Sequence, residues 1–262
     1  DGRLEGSISG GCVETDVLQR AAEVIAGRPA HVHSYGVADG DAWEVGLPCG
    51  GEIAVLVQPV TDDGFAPHLF DRIAAASEGG RALTLATDLA TGRTQEGVVE
   101  GGFLNRYDPP RQLLIVGAVQ IAQSLVPLAQ AIDVRPVVID PRGRFLTEER
   151  FPGVELDDRW PDEAIAARHP GESTAIVTLS HDIKIDDPAL IAALNAPTGY
   201  IAALGSRRSH AARIDRLTAA GFDADALARI DGPAGLDIGA IGPAEIALSI
   251  TAGMVAGFNA RG

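Results

Sequence analysis

Two cysteines, each set beside a pair of glycines, are the most reactive side chains in this sequence. Cys12 closes the run SISGGC (7–12), just ahead of a helical pattern. A sulfur there lies near unsatisfied amides and the positive end of a helix dipole, both of which lower a thiol pKa. Cys49 stands in LPCGGE (47–52), and the glycine pairs Gly10–Gly11 and Gly50–Gly51 let backbone come close to a ligand. Thiolates so placed act as nucleophiles or soft ligands. The plainer reading makes both residues small buried hydrophobes. With only two cysteines in 262 residues, a structural disulfide is not the expected use.

A second group of candidates follows apolar runs that read as strands. Ser180, His181 and Asp182 come directly after STAIVTL (173–179), with Asp186 and Asp187 close by. Acid/base work by His181 fits that position, and so does ordinary capping; the ligand set of a metal site is not met. The run Gly205, Ser206, Arg207, Arg208 follows GYIAAL (199–204) and opens a helix. It joins a glycine turn, free amides and two guanidinium groups, and is the best anion site in the chain, against the alternative of solvated surface arginines.

GAVQIAQ (117–123) stands where a dinucleotide fold carries GxGxxG, with Gly117 and Ala122 in place but Val119 at the second glycine. Its branched side chain obstructs a diphosphate. Asp140 ends the next strand, where a ribose hydroxyl would bind; alternatively it only precedes the turn at Pro141. The glycine-rich loop 232–245 offers Asp237 and Glu245, the latter also suited to capping the last helix.

The elements that must position these groups are legible as periodicity. A helix is expected over 13–25, strands at 31–35 and 52–60, a helix over 66–77, and a strand, turn and outgoing strand across 81–93. Paired glycines and paired prolines in EGGFLNRYDPPR (100–111) predict an exposed connection, dividing a smaller mixed α/β domain (1–105) from a C-terminal domain (106–262). Beyond it, strands at 112–116, 136–140, 173–179 and 199–204 alternate with helices. One helix is expected from N-cap Asp187 and Pro188 to residue 194, one from Ser206 to Gly221, and one from Pro243. The fold class is α/β, with a Rossmann-like parallel sheet covered by helices on both faces in the C-terminal half.

Composition narrows the classes. A net charge of −15 without a basic cluster argues against reading a nucleic-acid backbone or docking on an anionic membrane. No apolar run spans a bilayer, and the start, DGRLEGSISGG, lacks the regions of a secretory signal, so a cytoplasmic protein is expected. The missing initial Met suggests residues ahead of Asp1.

Together GSISGGCVE (6–14), GLPCGGEI (46–53), LLIVGAVQIAQ (113–123), VIDPR (138–142), LSHD (179–182), YIAALGSRR (200–208) and GPAGLDIGAIGPAEIALSI (232–250) resemble the xanthine dehydrogenase accessory family, XdhC/CoxI. The resemblance implies a maturation factor that binds the molybdenum cofactor, molybdopterin with or without a nucleotide. Such a factor supports sulfuration of the cofactor with a cysteine desulfurase and delivers it to a molybdenum hydroxylase, commonly as a homodimer. It carries Cys12 and Cys49 over as sulfur-handling candidates, and His181, Asp182, Ser206 and Arg207 as pocket residues. The family pattern GAGHVA is altered here to Gly117, Ala118, Val119, Gln120, Ile121 and Ala122. Two other classes stay open: an NAD(P)-dependent oxidoreductase using His181, and a protein-binding scaffold without a ligand.

Overall fold

The computed structural model describes residues 6–9, 11, 13–36 and 52–260. The chain separates into two compact units, Asp1–Pro109 and Pro110–Gly262.

In the first unit, helix α1 (Glu14–Ile25) precedes an antiparallel pair, β1 (His31–Tyr35) and β2 (Ile53–Val57), in register from His31 opposite Val57 to Tyr35 opposite Ile53. Helix α2 (His68–Glu78) is followed by β3 (Leu83–Thr87), β4 (Thr94–Glu96) and β5 (Phe103–Tyr107), an antiparallel sheet in the order β4-β3-β5. Leu69 of α2 packs with Leu85 of β3 and Ala66. The expected connection at 100–111 therefore contains a strand, β5. Its glycine and proline pairs bracket β5 without dissolving it, because the backbone of 103–107 finds partners along β3, from Leu83 opposite Tyr107 to Thr87 opposite Phe103.

The second unit carries β6 (Gln112–Val116), α3 (Gln120–Ala131), β7 (Arg135–Ile139), β8 (Glu155–Asp157), α4 (Pro161–Ala166), β9 (Thr174–Thr178), α5 (Ile183–Leu194), β10 (Tyr200–Ala203), α6 (Arg207–Ala219), α7 (Ala224–Leu227), β11 (Ile230–Asp231) and α8 (Pro243–Asn259). Its strands form one parallel sheet in the order β11-β10-β9-β6-β7-β8. Period-two alternation divides the side chains between two apolar layers. Leu113 and Ile115 join the layer of Leu125, Ile250 and Met254 from α3 and α8. Leu114 and Val116 join Ile165, Ile185, Leu190 and Leu217 from α4, α5 and α6. Burial on both faces explains why β6 and β9 read as unbroken apolar runs. From β6 the chain winds outward through β7 and β8, returns beside β6 at β9, and winds the other way, so the direction reverses between β6 and β9.

Helix α5 begins five residues earlier than Pro188 implies, at Ile183, with Pro188 inside it. The cap is Asp182, whose carboxylate accepts the Lys184 amide at 3.0 Å. The buried face Ile185, Ala189, Leu190 and Ala193 runs through the proline, so packing outweighs the one helical hydrogen bond that Pro188 cannot make. Asp187, expected as the cap, instead accepts Arg216 Nε at 2.6 Å and Nη2 at 2.9 Å. Among the described residues no helix is long and apolar enough to cross a membrane.

Leu114 is fully buried at the centre of the sheet. Leu114→Ala should lower the unfolding free energy by about 2–5 kcal/mol, measured by urea denaturation followed by circular dichroism. A loss below about 1 kcal/mol would contradict this packing.

Candidate functional site

The turns that follow β6, β7, β9 and β10 all emerge at the carboxyl edge of the parallel sheet, the edge at which open α/β sheets bind ligands. At the reversal point the β6 and β9 turns touch. Gly117 adopts φ +110°, and a Cβ on it would stand 2.9 Å from the Ser180 amide nitrogen. Only glycine allows that approach.

The β6 turn is closed by its own polar groups. The Ala118 amide donates to Asp140 Oδ2 at 2.8 Å, and the Val119 amide donates to the Gly117 carbonyl at 2.9 Å. Asp140 is wholly buried and accepts three further bonds from Arg142: from its amide at 2.9 Å, Nε at 2.9 Å and Nη2 at 2.8 Å. Burial alone would push this carboxyl up, but the Arg142 guanidinium and the two amides outweigh it and hold it below the usual carboxylate range. Arg150 spans the same turn, donating to the Ala118 carbonyl at 2.8 Å. Asp140 thus links the β6 turn to the turn after β7. Val119 packs against the core cluster of α3 and α8.

After β9, Ser180 Oγ donates to Asp186 Oδ1 at 2.6 Å and accepts the Asp182 amide at 3.1 Å. Asp186 is only 4% exposed. Burial pushes its carboxyl up, opposed by the Ser180 hydroxyl and the charge of Arg213. His181 is exposed, in the left-handed region at φ +60°. After β10, Gly205 adopts φ +148° and Ser206 caps α6, its Oγ accepting the Ser209 amide at 3.1 Å. Arg207 and Arg208 follow in the first turn, exposed; among the described residues neither side chain makes a hydrogen bond or ion pair.

The loop after β11 is fastened at its start, where Asp231 accepts the Tyr200 hydroxyl and the Gly235 amide. Asp237 is exposed, beside the exposed Leu236 and Ile238. Glu245 caps α8 through the amides of Ile241 at 2.8 Å and Gly242 at 3.5 Å. A cavity of about 840 Å3 lies elsewhere, between α4 and the far end of α5, lined by Ile165, His169, Pro170, Ile191 and Pro197. Among the described residues no three His, Cys, Asp or Glu side chains converge as metal ligands.

In the first unit Cys12, Cys49, Gly10, Gly50 and Gly51 lie outside the described residues. Among the described residues of that unit, the structure shows one that sequence reasoning missed. The buried carboxylate of Glu14 accepts the amides of Ile8, Ser9 and Gly11 at 2.9 Å and of Val13 at 3.2 Å, with the hydroxyls of Ser7 and Ser9 at 2.8 Å. The Ser9 amide and the Ser7 hydroxyl lead in holding its pKa well below the usual range. An acid directly after GGCV, behind two serines and at the start of a helix, was the available signal.

Residues 113–254 match the family described as the XdhC Rossmann domain, and residues 1–36 match the XdhC and CoxI family. The chain is 29% identical over 259 residues to the molybdenum cofactor insertion chaperone PaoD of Escherichia coli (strain K12), covering 96% of this chain and 74% of that protein. It is 24% identical over 287 residues to a protein of Bacillus subtilis (strain 168) named as a probable xanthine dehydrogenase subunit, covering 97% and 84%. A crystal structure of a xanthine dehydrogenase from Bacillus halodurans matches with a TM-score of 0.78 at 24% identity, covering 100% of this chain and 84% of that one. At that identity the structural likeness speaks for the fold.

Glu14 and Asp140 both ionise more readily folded than unfolded, so the stability they contribute is present above their unfolded values near pH 4 and is lost as pH falls through the folded ones. Urea denaturation between pH 6 and pH 2.5 should show stability falling below about pH 4, with a shallower fall in Asp140→Asn. An unchanged slope in that variant would place Asp140 outside the network.

Proposed function

The chain belongs to the XdhC and CoxI family, and from that premise we propose that it binds the molybdenum cofactor and serves its maturation and insertion into a molybdenum hydroxylase of the xanthine dehydrogenase or CO dehydrogenase type. The observation that carries this reading is the likeness, over 96% of the chain, to a protein named as a molybdenum cofactor insertion chaperone.

The cofactor is cargo here, and its chemistry sets what the protein must supply. Its pterin carries a phosphate, for which the first turn of α6 is suited: amides of Arg207 and Arg208 without intrahelical acceptors, and two guanidinium groups without partners among the described residues. Its molybdenum favours soft sulfur donors, the role assigned to Cys12 and Cys49, with Gly10, Gly11, Gly50 and Gly51 leaving room for close approach. Within the second unit, Gly117, His181, Asp182, Gly205, Ser206 and Asp237 are the proposed pocket residues at the carboxyl edge. A cysteine desulfurase would supply the sulfur, the hydroxylase would receive the loaded cofactor, and the working form would be a homodimer.

The geometry favours this cargo over a resident NAD(P). A diphosphate approaches the amides of the β6 turn, and two of these are already engaged, that of Ala118 by Asp140 and that of Val119 by the Gly117 carbonyl. A ribose needs an accessible carboxylate, and Asp140 is buried and saturated by Arg142 and Ala118.

Titrating the purified chain with molybdopterin and with NAD(P) separates the two. Molybdopterin should bind and copurify, and Arg207→Ala with Arg208→Ala should weaken it about tenfold. Cys12→Ala with Cys49→Ala should abolish transfer of sulfurated cofactor to the hydroxylase. Tight dinucleotide binding without pterin affinity would overturn the proposal.

A further inference from the structure

Burying a guanidinium is costly unless acceptors surround it, and the second unit provides them almost everywhere. Arg142 reaches Asp140, Arg168 reaches Asp157, and Arg216 reaches Asp187. Arg229 donates to the carbonyls of Leu194, Ala196 and Thr198. Arg213 differs. It is only 4% exposed, yet its one close acceptor is the Leu204 carbonyl, 2.9 Å from Nη2; Nη1 lies 3.5 Å from His210 Nδ1, and the buried Nε has no partner among the described residues.

The nearby carboxylates do not close on it. Asp186 accepts the Ser180 hydroxyl at 2.6 Å, and Asp187 is held by Arg216 at 2.6 and 2.9 Å. They attract Arg213 through space without a hydrogen bond, and burial is the largest influence on it, lowering its pKa. The side chain folds back along α6 to the start of that helix. Nη2 lies 3.7 Å from where a side-chain carbon on Gly205 would stand, which puts the buried guanidinium directly beside the turn. The same turn presents the first amides of α6 and the unpaired Arg207 and Arg208. Three cations thus gather on one short stretch of a chain whose net charge is −15.

We propose that Arg213 is a phosphate-binding residue, the buried anchor of a phosphomonoester held at the turn between β10 and α6. The inference rests on the reading above only in taking the cargo's phosphate as the natural occupant; the phosphate site itself needs no pterin. A dianion there accepts from the fork of Arg213 below, from the α6 amides in line with the helix axis, and from Arg207 and Arg208 at the rim. The buried cation gives binding strength, and the exposed pair gives attraction at a distance.

Calorimetric titration of the full chain with inorganic phosphate at fixed ionic strength should show saturable binding. Arg213→Gln should weaken it about tenfold or more, and Arg213→Lys, which keeps the charge but not the fork, should also lose most of the affinity. Arg208→Ala should cost only a few-fold. Unfolding midpoints confirm that each variant is folded, and Arg213→Lys carries the test should Arg213→Gln be unstable. Wild-type affinity in a folded Arg213 variant, or displacement of phosphate by equimolar chloride, overturns the proposal. Displacement by molybdopterin identifies the cargo as the source of the phosphate, and displacement by CMP alone a nucleotide; either supports the site. Arg213-dependent phosphate binding without molybdopterin uptake would leave this site standing and remove the cargo reading. Equal molybdopterin uptake with and without Arg213, and phosphate binding indifferent to it, would do the reverse.

Discussion

The approach of Gly117 to the Ser180 backbone, too close for any side chain, is the constraint on which the carboxyl edge depends. It exists because β6 and β9 are neighbours from which the chain departs in opposite directions, so their following turns meet instead of diverging. The β9 side of the site follows from that meeting. Ser180 is pinned beside the β6 turn, its hydroxyl is turned to Asp186 within α5, and Asp182 is left to start that helix. A side chain at 117 would displace the backbone that carries all three.

The polar groups of this edge divide by whether the fold consumes them. Asp140, Arg142, Arg150 and the amides of Ala118 and Val119 satisfy one another, which makes the β6 turn a structural clamp. On the β10 side the balance is reversed. Arg207 and Arg208 are unpaired among the described residues, and Arg213 is buried with fewer acceptors than a guanidinium needs. Under the proposed function, the anion is held two strands away from the β6 turn, where Arg207 and Arg208 keep free donors.

Much of the fold was legible because a parallel sheet buried on both faces writes itself as apolar runs, as at β6, β7, β9 and β10. The short outer strands β8 and β11, with acidic residues at their ends, carry no such pattern. Strand β5 was hidden by the glycines and prolines that flank it, and the start of α5 by Pro188. At the site, motifs marked by glycine or by position after a strand could be read directly, since their meaning is local. Arg213 could not, and Glu14 was signalled only by its place behind two serines at a helix start. Glu14 matters because a loop winds around it, and Arg213 because of what fails to surround it; both are properties of three dimensions.

The same distinction bears on what kind of protein this is. At the β9 turn Ser180 donates its hydroxyl to Asp186, whose carboxyl burial has pushed up, and the exposed His181 stands in a left-handed turn. The unpaired donors at the α6 turn are suited to holding an anion. Under the proposed function that is the chemistry a carrier needs: donors that bind the cargo and leave its reactive metal to sulfur, with Cys12 flanked in sequence by Gly11 and Val13, whose amides Glu14 holds in place.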